Sequence, residues 1–233
     1  MTLEECFAKN GLSEYLTDEK AEKLRVLSTL LLSYNEKVNL TSLKELPDVY
    51  AKHMADSAKL LPYLKNVKTL LDVGCGGGFP SLPAAILSQI EVTALDSTRK
   101  KLGFIEEART TLDIKNIKTL CGRAEELCSG ELRQSFDAVT ARAVASLPVL
   151  CELCIPYVKT GGIFLAMKTD ESELEGGEAA AKKLGAKLLQ SVEYKLICGD
   201  GEADRCIMIF KKTKNTESIY PRRYSQIKTK PLQ

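Results

Sequence analysis

A chain of 233 residues, 44% apolar and 27% charged, has the make-up of one globular domain with room for a sizeable core. No apolar run approaches the length of a membrane span, and the opening MTLEECFAKN is acidic and mixed, so no secretory signal is expected. The eight cysteines therefore read as reduced thiols in a cytoplasmic protein, and the net charge of +2 hides a strong asymmetry: residues 211–233 hold seven basic residues against one acid. An acidic body with a basic tail suggests a polyanion partner, the alternative being a solvated, disordered tail.

In chain order, residues 1–62 read as helical. Leu24, Leu27, Leu31 and Tyr34 recur on one face of a helix starting near Thr17 or Asp18, and a second helix starts at Pro47 and runs through His53 to about Leu60. From Thr69 short apolar runs alternate with helical segments. The predicted strands are 69–73, 91–95, 117–120, 136–141 and 162–168, with helices at 80–89, 98–112, 123–128, 146–157 and 172–185 between and after them. Such alternation implies a parallel sheet wrapped on both faces. Two last strands, 187–197 and 204–211, follow each other across the Gly-rich turn 198–202 and are expected to pair antiparallel. The expected organisation is a helical cap (1–64), an α/β core (65–212) and a basic tail (213–233), the tail being the one flexible segment.

The stretch Thr69-Leu-Leu-Asp-Val-Gly-Cys-Gly-Gly-Gly-Phe79 places four glycines in five positions directly behind the first strand. Bare backbone there allows a tight turn and close approach of a ligand. A dinucleotide fingerprint fails, because its sixth position is Phe79 or Ser81, and the phosphate-loop pattern fails for want of a Lys-Ser or Lys-Thr pair. What fits is Asp72 ahead of Gly74, Gly76 and Gly78. A carboxylate there repels a pyrophosphate but accepts hydrogen bonds from an ammonium, directly or through water. The second strand ends in Asp96, where ribose hydroxyls are held in doubly wound sheets. S-adenosylmethionine carries both an ammonium and a ribose, and this order of acid, glycines and acid favours it over NAD.

Gly122-Arg123-Ala124-Glu125 follows the third strand, where an acid or a backbone amide can hold an adenine amino edge; Glu125 is equally suited to the first turn of a helix. Arg142 ends the fourth strand, at the mouth where a methyl group would be exposed, unless it is a plain surface arginine. The chain has neither the [DNS]-P-P-[YFW] motif of amino-group methyltransferases nor a Pro-Cys nucleophile. Cys151 and Cys154 have the spacing of a redox or metal pair but sit in an apolar helical stretch without a second pair, so they read as core and no metal is expected. His53 is the one histidine, with Asp56 and Ser57 following at helical spacing. It either braces the cap or, with Arg142, lines a substrate pocket.

Taken together, these residues resemble the bacterial 16S ribosomal RNA guanine-N7 methyltransferases, the RsmG or glucose-inhibited division protein B family. The resemblance is carried by Tyr34-Asn35, Val38-Asn-Leu-Thr41, His53 with Asp56-Ser57, Leu71 to Pro80, Leu95-Asp-Ser97, Arg123-Ala-Glu-Glu126, Ala141-Arg-Ala143, Tyr220-Pro-Arg-Arg223 and Lys230-Pro-Leu232. It implies a class I S-adenosylmethionine-dependent methyltransferase: a Rossmann-like, seven-stranded, mostly parallel sheet with an antiparallel last strand and an N-terminal helical cap. It also implies cofactor contacts at Gly74, Phe79, Ala124, Glu125 and Arg142. The family's loop usually has Thr or Ser where this chain has Cys75, a Gly at Ser81, and a Gly-Thr-Pro stretch that this tail lacks.

The implied chemistry asks little of acid–base groups. Guanine N7 carries a lone pair and no proton, so it attacks the sulfonium methyl in line without a general base, and the protein supplies alignment and a preorganised environment. The implied partner is 16S rRNA or the small ribosomal subunit particle, bound by a monomer. Arg222, Arg223, Lys228 and Lys230 are the candidate phosphate contacts. A methyltransferase for another substrate class and a non-catalytic RNA-binding module are the competing readings. The basic tail opposes the first, and the intact run from Asp72 to Asp96 opposes the second.

Overall fold

The structure is a computed structural model and describes residues 1–199 and 201–233. The cap begins with α1 (Leu3–Lys9), whose Thr2 and Glu5 form a reciprocal capping box, followed by α2 (Asp18–Asn35), capped by Thr17. On α2 the residues Ala21, Leu24, Leu27, Ser28 and Leu31 are buried, one stripe of three- and four-residue steps. The helix expected from Pro47 is not uniform. It runs as α3 (Leu46–Val49), a π-helical turn Tyr50–Ala55, and α4 (Asp56–Ala58). Local periodicity shows where apolar residues recur; it does not reveal a wider turn, which tertiary contacts stabilise.

Seven strands follow: β1 (Thr69–Val73), β2 (Glu91–Asp96), β3 (Ile117–Cys121), β4 (Phe136–Arg142), β5 (Val158–Lys168), β6 (Ala186–Cys198) and β7 (Gly201–Lys212). The connecting helices are α5 (Ser81–Leu87), α6 (Arg99–Thr111), α7 (Ala124–Leu127), α8 (Leu147–Cys154) and α9 (Leu174–Lys183), and α10 (Tyr224–Thr229) lies in the tail. The sheet order is β3-β2-β1-β4-β5-β7-β6, all parallel except β7, which pairs antiparallel with both β5 and β6. The antiparallel last strand thus inserts inside β6 rather than extending the edge. The turn expected at 198–202 includes Asp200, which lies outside the described residues.

Alternate side chains of β1 serve the two faces: Leu70 joins the core under the cap helices, α5 and α6, while Leu71 and Val73 join the core under α7, α8 and α9. The first core contains Phe7, Leu24, Leu31 and Met54 of the cap together with Phe104 and Ile105, so the cap is built into one face of the sheet. The second contains Ile227 and Leu232. The tail expected to be flexible is therefore folded onto this face, because its apolar residues find α8 and Arg222 finds a partner described below.

Candidate active site

Strand order reverses between β1 and β4, and at such a switch point the loops leaving the two carboxyl ends diverge and open a crevice. Here the crevice is a cleft of about 540 Å³, within the usual range for small-molecule sites. The glycine loop after β1 forms its floor. Gly74 and Cys75 donate their N–H groups to the Leu95 carbonyl at 2.8 and 3.0 Å, tying the loop to β2. Gly74 and Gly76 have φ of +72° and +54°, which favours glycine. A Cβ on Gly74 would meet Val144 at 2.6 Å, whereas one on Gly76 would meet nothing closer than 4.0 Å, so Gly76 offers bare backbone to the cleft.

Gly78 does not line the cleft, contrary to the expectation. A Cβ there would sit 2.6 Å from Leu82 and 3.1 Å from Ile105, so this glycine lets α5 and α6 pack closely behind the loop. Asp72 does not form part of the wall either. It is fully buried, its Oδ2 accepts from Ser81 N–H at 3.2 Å and Ser81 Oγ at 2.5 Å, and its Oδ1 has no partner. Burial pushes its carboxyl up to about 6, against the lowering effect of Ser81 and Arg142.

Asp96 ends β2 and lines the cleft, its Oδ2 accepting from Gly76 N–H at 3.0 Å and its Oδ1 from Thr98 N–H at 2.7 Å. Each oxygen retains capacity for another donor. Ala124 and Glu125, at the start of α7, line the far end with Gly122 and Arg123. Backbone without Cβ at Gly76 and a carboxylate at the β2 tip suit a ligand with a ribose, while the orphaned Asp72 Oδ1 lies behind this wall, out of direct reach of the cleft.

At the opposite end stands a wall built by cap and sheet together. Arg142 Nη1 donates to Lys52 O at 2.9 Å and to Asp56 Oδ2 at 3.0 Å, and Nη2 lies 3.0 Å from His53 Nδ1. A guanidinium only donates, so Nδ1 accepts and the ring proton is on Nε2, which donates to Thr41 Oγ1 at 2.8 Å. Burial first, and the Arg142 charge second, hold His53 down at about 3, so the imidazole is neutral. The His53 ring stacks on Phe79 with centroids 4.3 Å apart and planes 10° apart. Asn35 holds the preceding loop: its Oδ1 accepts from Leu40 and Thr41 N–H at 2.7 and 2.9 Å, and its Nδ2 donates to Thr41 O at 2.9 Å. His53 and Asp56 reach Arg142, but Ser57, expected on the same face, is fully buried with an unpartnered Oγ.

A family model described as rRNA small subunit methyltransferase G matches residues 20–198. The chain belongs to this family. Curated relatives named ribosomal RNA small subunit methyltransferase G include one from Clostridium botulinum, 39% identical with 97% of each chain covered. Another is from Bacillus subtilis, 40% identical with 97% of this chain and 95% of that protein covered. Among solved structures, M. jannaschii TYW2 in complex with AdoMet matches at TM-score 0.52, with 17% identity over 64% of this chain and 70% of that one. A precorrin-6y methyltransferase from Geobacter metallireducens matches at TM-score 0.53, with 17% identity over 76% and 91%. The likeness to these two structures shows that the chain has a methyltransferase fold, and one of the two was solved with AdoMet.

In this chain the tail is occupied in a way its charge pattern does not announce. Arg222 Nε and Nη2 donate to the two oxygens of Glu152, at 2.8 and 2.6 Å, and Glu152 is fully buried on α8. Arg222 is thus a clasp and not a free phosphate contact, whereas Arg223, Lys228 and Lys230 are exposed. Arg133 donates to the carbonyls of Thr216, Glu217 and Tyr220, fastening the tail's start. Tyr224 reaches the cleft itself. Sequence reasoning missed Tyr224, and also Tyr194 and Arg205, which approach Asp56 Oδ1 at 2.9 and 3.7 Å from β6 and β7. No local motif marks these three; only the sheet order brings them in. Among the described residues no helix is long and apolar enough to cross a membrane.

Proposed function

We propose that this protein methylates N7 of a guanine in 16S rRNA, acting on the RNA or on a small-subunit particle in the cytoplasm. The observation that carries this reading is a second cavity of about 320 Å³ that shares His53, Arg142 and Ala143 with the cofactor cleft. Lys52, Lys168 and Arg205 line it, each paired with a carboxylate (Asp48, Glu173 and Asp56), so a phosphate-bearing partner would meet cations already held in place. Met167 and Thr169 complete a slot with an apolar side and a polar one, as an unstacked base requires.

When bound, S-adenosylmethionine supplies an electrophilic methyl group on its sulfonium. In this reading Asp96 holds the ribose hydroxyls, Gly74 and Gly76 admit the methionine end, and the Asp72 oxygen serves the ammonium through water. Ala124 and Glu125 hold the adenine edge, and Phe79 and Arg142 border the reacting end. No side chain needs to take a proton, because N7 has none to give. The neutral, doubly hydrogen-bonded His53 fits this: it orients Arg142 and Phe79 and cannot act as a base while both ring nitrogens are engaged. Alignment of the two cavities across one rigid wall is the catalytic contribution.

The test is to incubate the protein with S-adenosylmethionine and either bare 16S rRNA or isolated small subunits, then map 7-methylguanine by chemical cleavage. Methylation at a single guanine N7, absent in an Arg142→Ala protein, is expected. Transfer to another atom, or to neither RNA substrate, would overturn the assignment.

A further inference from the structure

The C-terminal tail is clasped over the adenine end of the cofactor cleft. Glu152 and Leu153 are neighbours on α8: the first holds Arg222, the second lines the cleft. Two residues beyond Arg222, α10 opens with Tyr224, which lines the same cleft as Gly122, Arg123, Ala124 and Glu125. The residue is 37% exposed, and the Arg123 guanidinium carbon lies 5.7 Å from the centroid of its ring. The helix behind it is pinned by Ile227, fully buried, and Leu232. Arg222 Nη2 also donates to Lys230 O at 3.0 Å, which closes the tail on itself around the helix. An aromatic ring that is half-exposed, held by a rigid anchor and turned to a ligand cleft has one economical use. It offers a flat apolar face to a flat ligand.

Resting on the assignment of this cleft to S-adenosylmethionine with its purine at Gly122–Glu125, we propose that Tyr224 stacks on the adenine ring, making the tail part of the cofactor site. Arg123, over the Tyr224 ring, restricts the side chain before the ligand arrives, so less freedom is lost on binding. The tail then couples cofactor binding to its own docking. Its exposed cations Arg223, Lys228 and Lys230 are carried on the same short segment.

The experiment is calorimetric titration of full-length wild-type, Tyr224→Ala and Tyr224→Phe proteins with S-adenosylmethionine and with 5′-methylthioadenosine, which keeps the purine and ribose but lacks the amino-acid end. Base–aromatic stacking predicts that Tyr224→Ala weakens both ligands roughly 5- to 30-fold, the equivalent of about 1–2 kcal/mol. Tyr224→Phe stays within about twofold of wild type, because stacking does not need the hydroxyl. The ligand-free melting temperature should be the same in all three proteins, the ring being at the surface. Equal affinities in wild type and Tyr224→Ala would overturn the proposal, as would a loss confined to S-adenosylmethionine or one shared by Tyr224→Phe. A wild-type protein that binds neither ligand would instead strike the assignment of the cleft, which is a distinguishable result.

Discussion

His53 Nδ1 sits 3.0 Å from Arg142 Nη2, a contact between the N-terminal cap and the end of the fourth strand that leaves the imidazole neutral. The contact joins a bracing role to a place in the site, because the same ring stacks on Phe79 and borders both cavities. Removing it with His53→Ala takes the Nε2–H donor from Thr41 Oγ1, which keeps the Leu43 N–H, leaves Arg142 Nη2 without its imidazole acceptor and opens a void beside Phe79. The expected cost is about 2–4 kcal/mol in urea unfolding, with turnover falling as Arg142 loses its orientation.

The same histidine makes a spectroscopic prediction. It is the single histidine of the chain, so its ring nitrogens are observed without overlap. A folded-state value of about 3 lies below the ordinary 6.5, so its contribution to stability is present above pH 6.5 and lost as pH falls towards 3. Nitrogen NMR should show the Nε2–H tautomer with no titration between pH 5 and 8. A protonation midpoint near 6.5 in the folded protein would contradict the network.

Asp72 runs in the opposite sense. Its carboxyl is raised to about 6, so the folded state holds a proton that the unfolded state releases near 4. Stability from this group is present below pH 4 and lost as pH rises through 6, in total on the order of 2–3 kcal/mol. Unfolding curves of wild type and Asp72→Asn between pH 4 and 7.5 should therefore diverge, the wild type losing ground as pH rises. Parallel pH profiles would show that Asp72 is ionised throughout, its charge met by a group other than Ser81.

Asp96 should matter chiefly to the ligand. With hydrogen bonds to a buried ribose removed, Asp96→Ala is expected to weaken S-adenosylmethionine by roughly 5- to 150-fold, or about 1–3 kcal/mol. Because Asp96 also holds Gly76 and Thr98 N–H groups, a modest fall in melting temperature accompanies the loss. Unchanged affinity in calorimetry would remove Asp96 from the site.

The tail's cations should separate into two kinds. Arg222→Ala leaves the buried Glu152 without its counter-charge, with only the backbone N–H of residue 222 donating to it, which costs about 3 kcal/mol and lowers the melting temperature by roughly 6–12 °C for a chain of this size. Replacing Arg223, Lys228 and Lys230 with alanine should leave melting unchanged and flatten the slope of log RNA affinity against log salt by about two units. An unchanged slope would move the RNA contact to the basic rim of Lys52, Lys168 and Arg205.

What was legible in the sequence is whatever depends on neighbours along the chain. The α2 stripe needs only its own 3.6-residue period and the Thr17 cap, and β1 with its glycine loop needs only a short apolar run followed by bare backbone. Asp96 was readable as the acid at a strand tip for the same reason. The rest depends on which distant segments meet. Gly78 looks like its neighbours in the loop, and only the positions of Leu82 and Ile105 turn it from a ligand contact into a packing contact. Arg222 carries the same charge as Arg223, and only a buried Glu152 seventy residues away makes one a clasp and leaves the other free. Tyr224 is an unremarked tail residue until that clasp lays it along the cleft. Helix periods and turn chemistry are local energies, written in every few residues; ion pairs, close packing and cavity walls are set by long-range approach, which no short window of sequence contains.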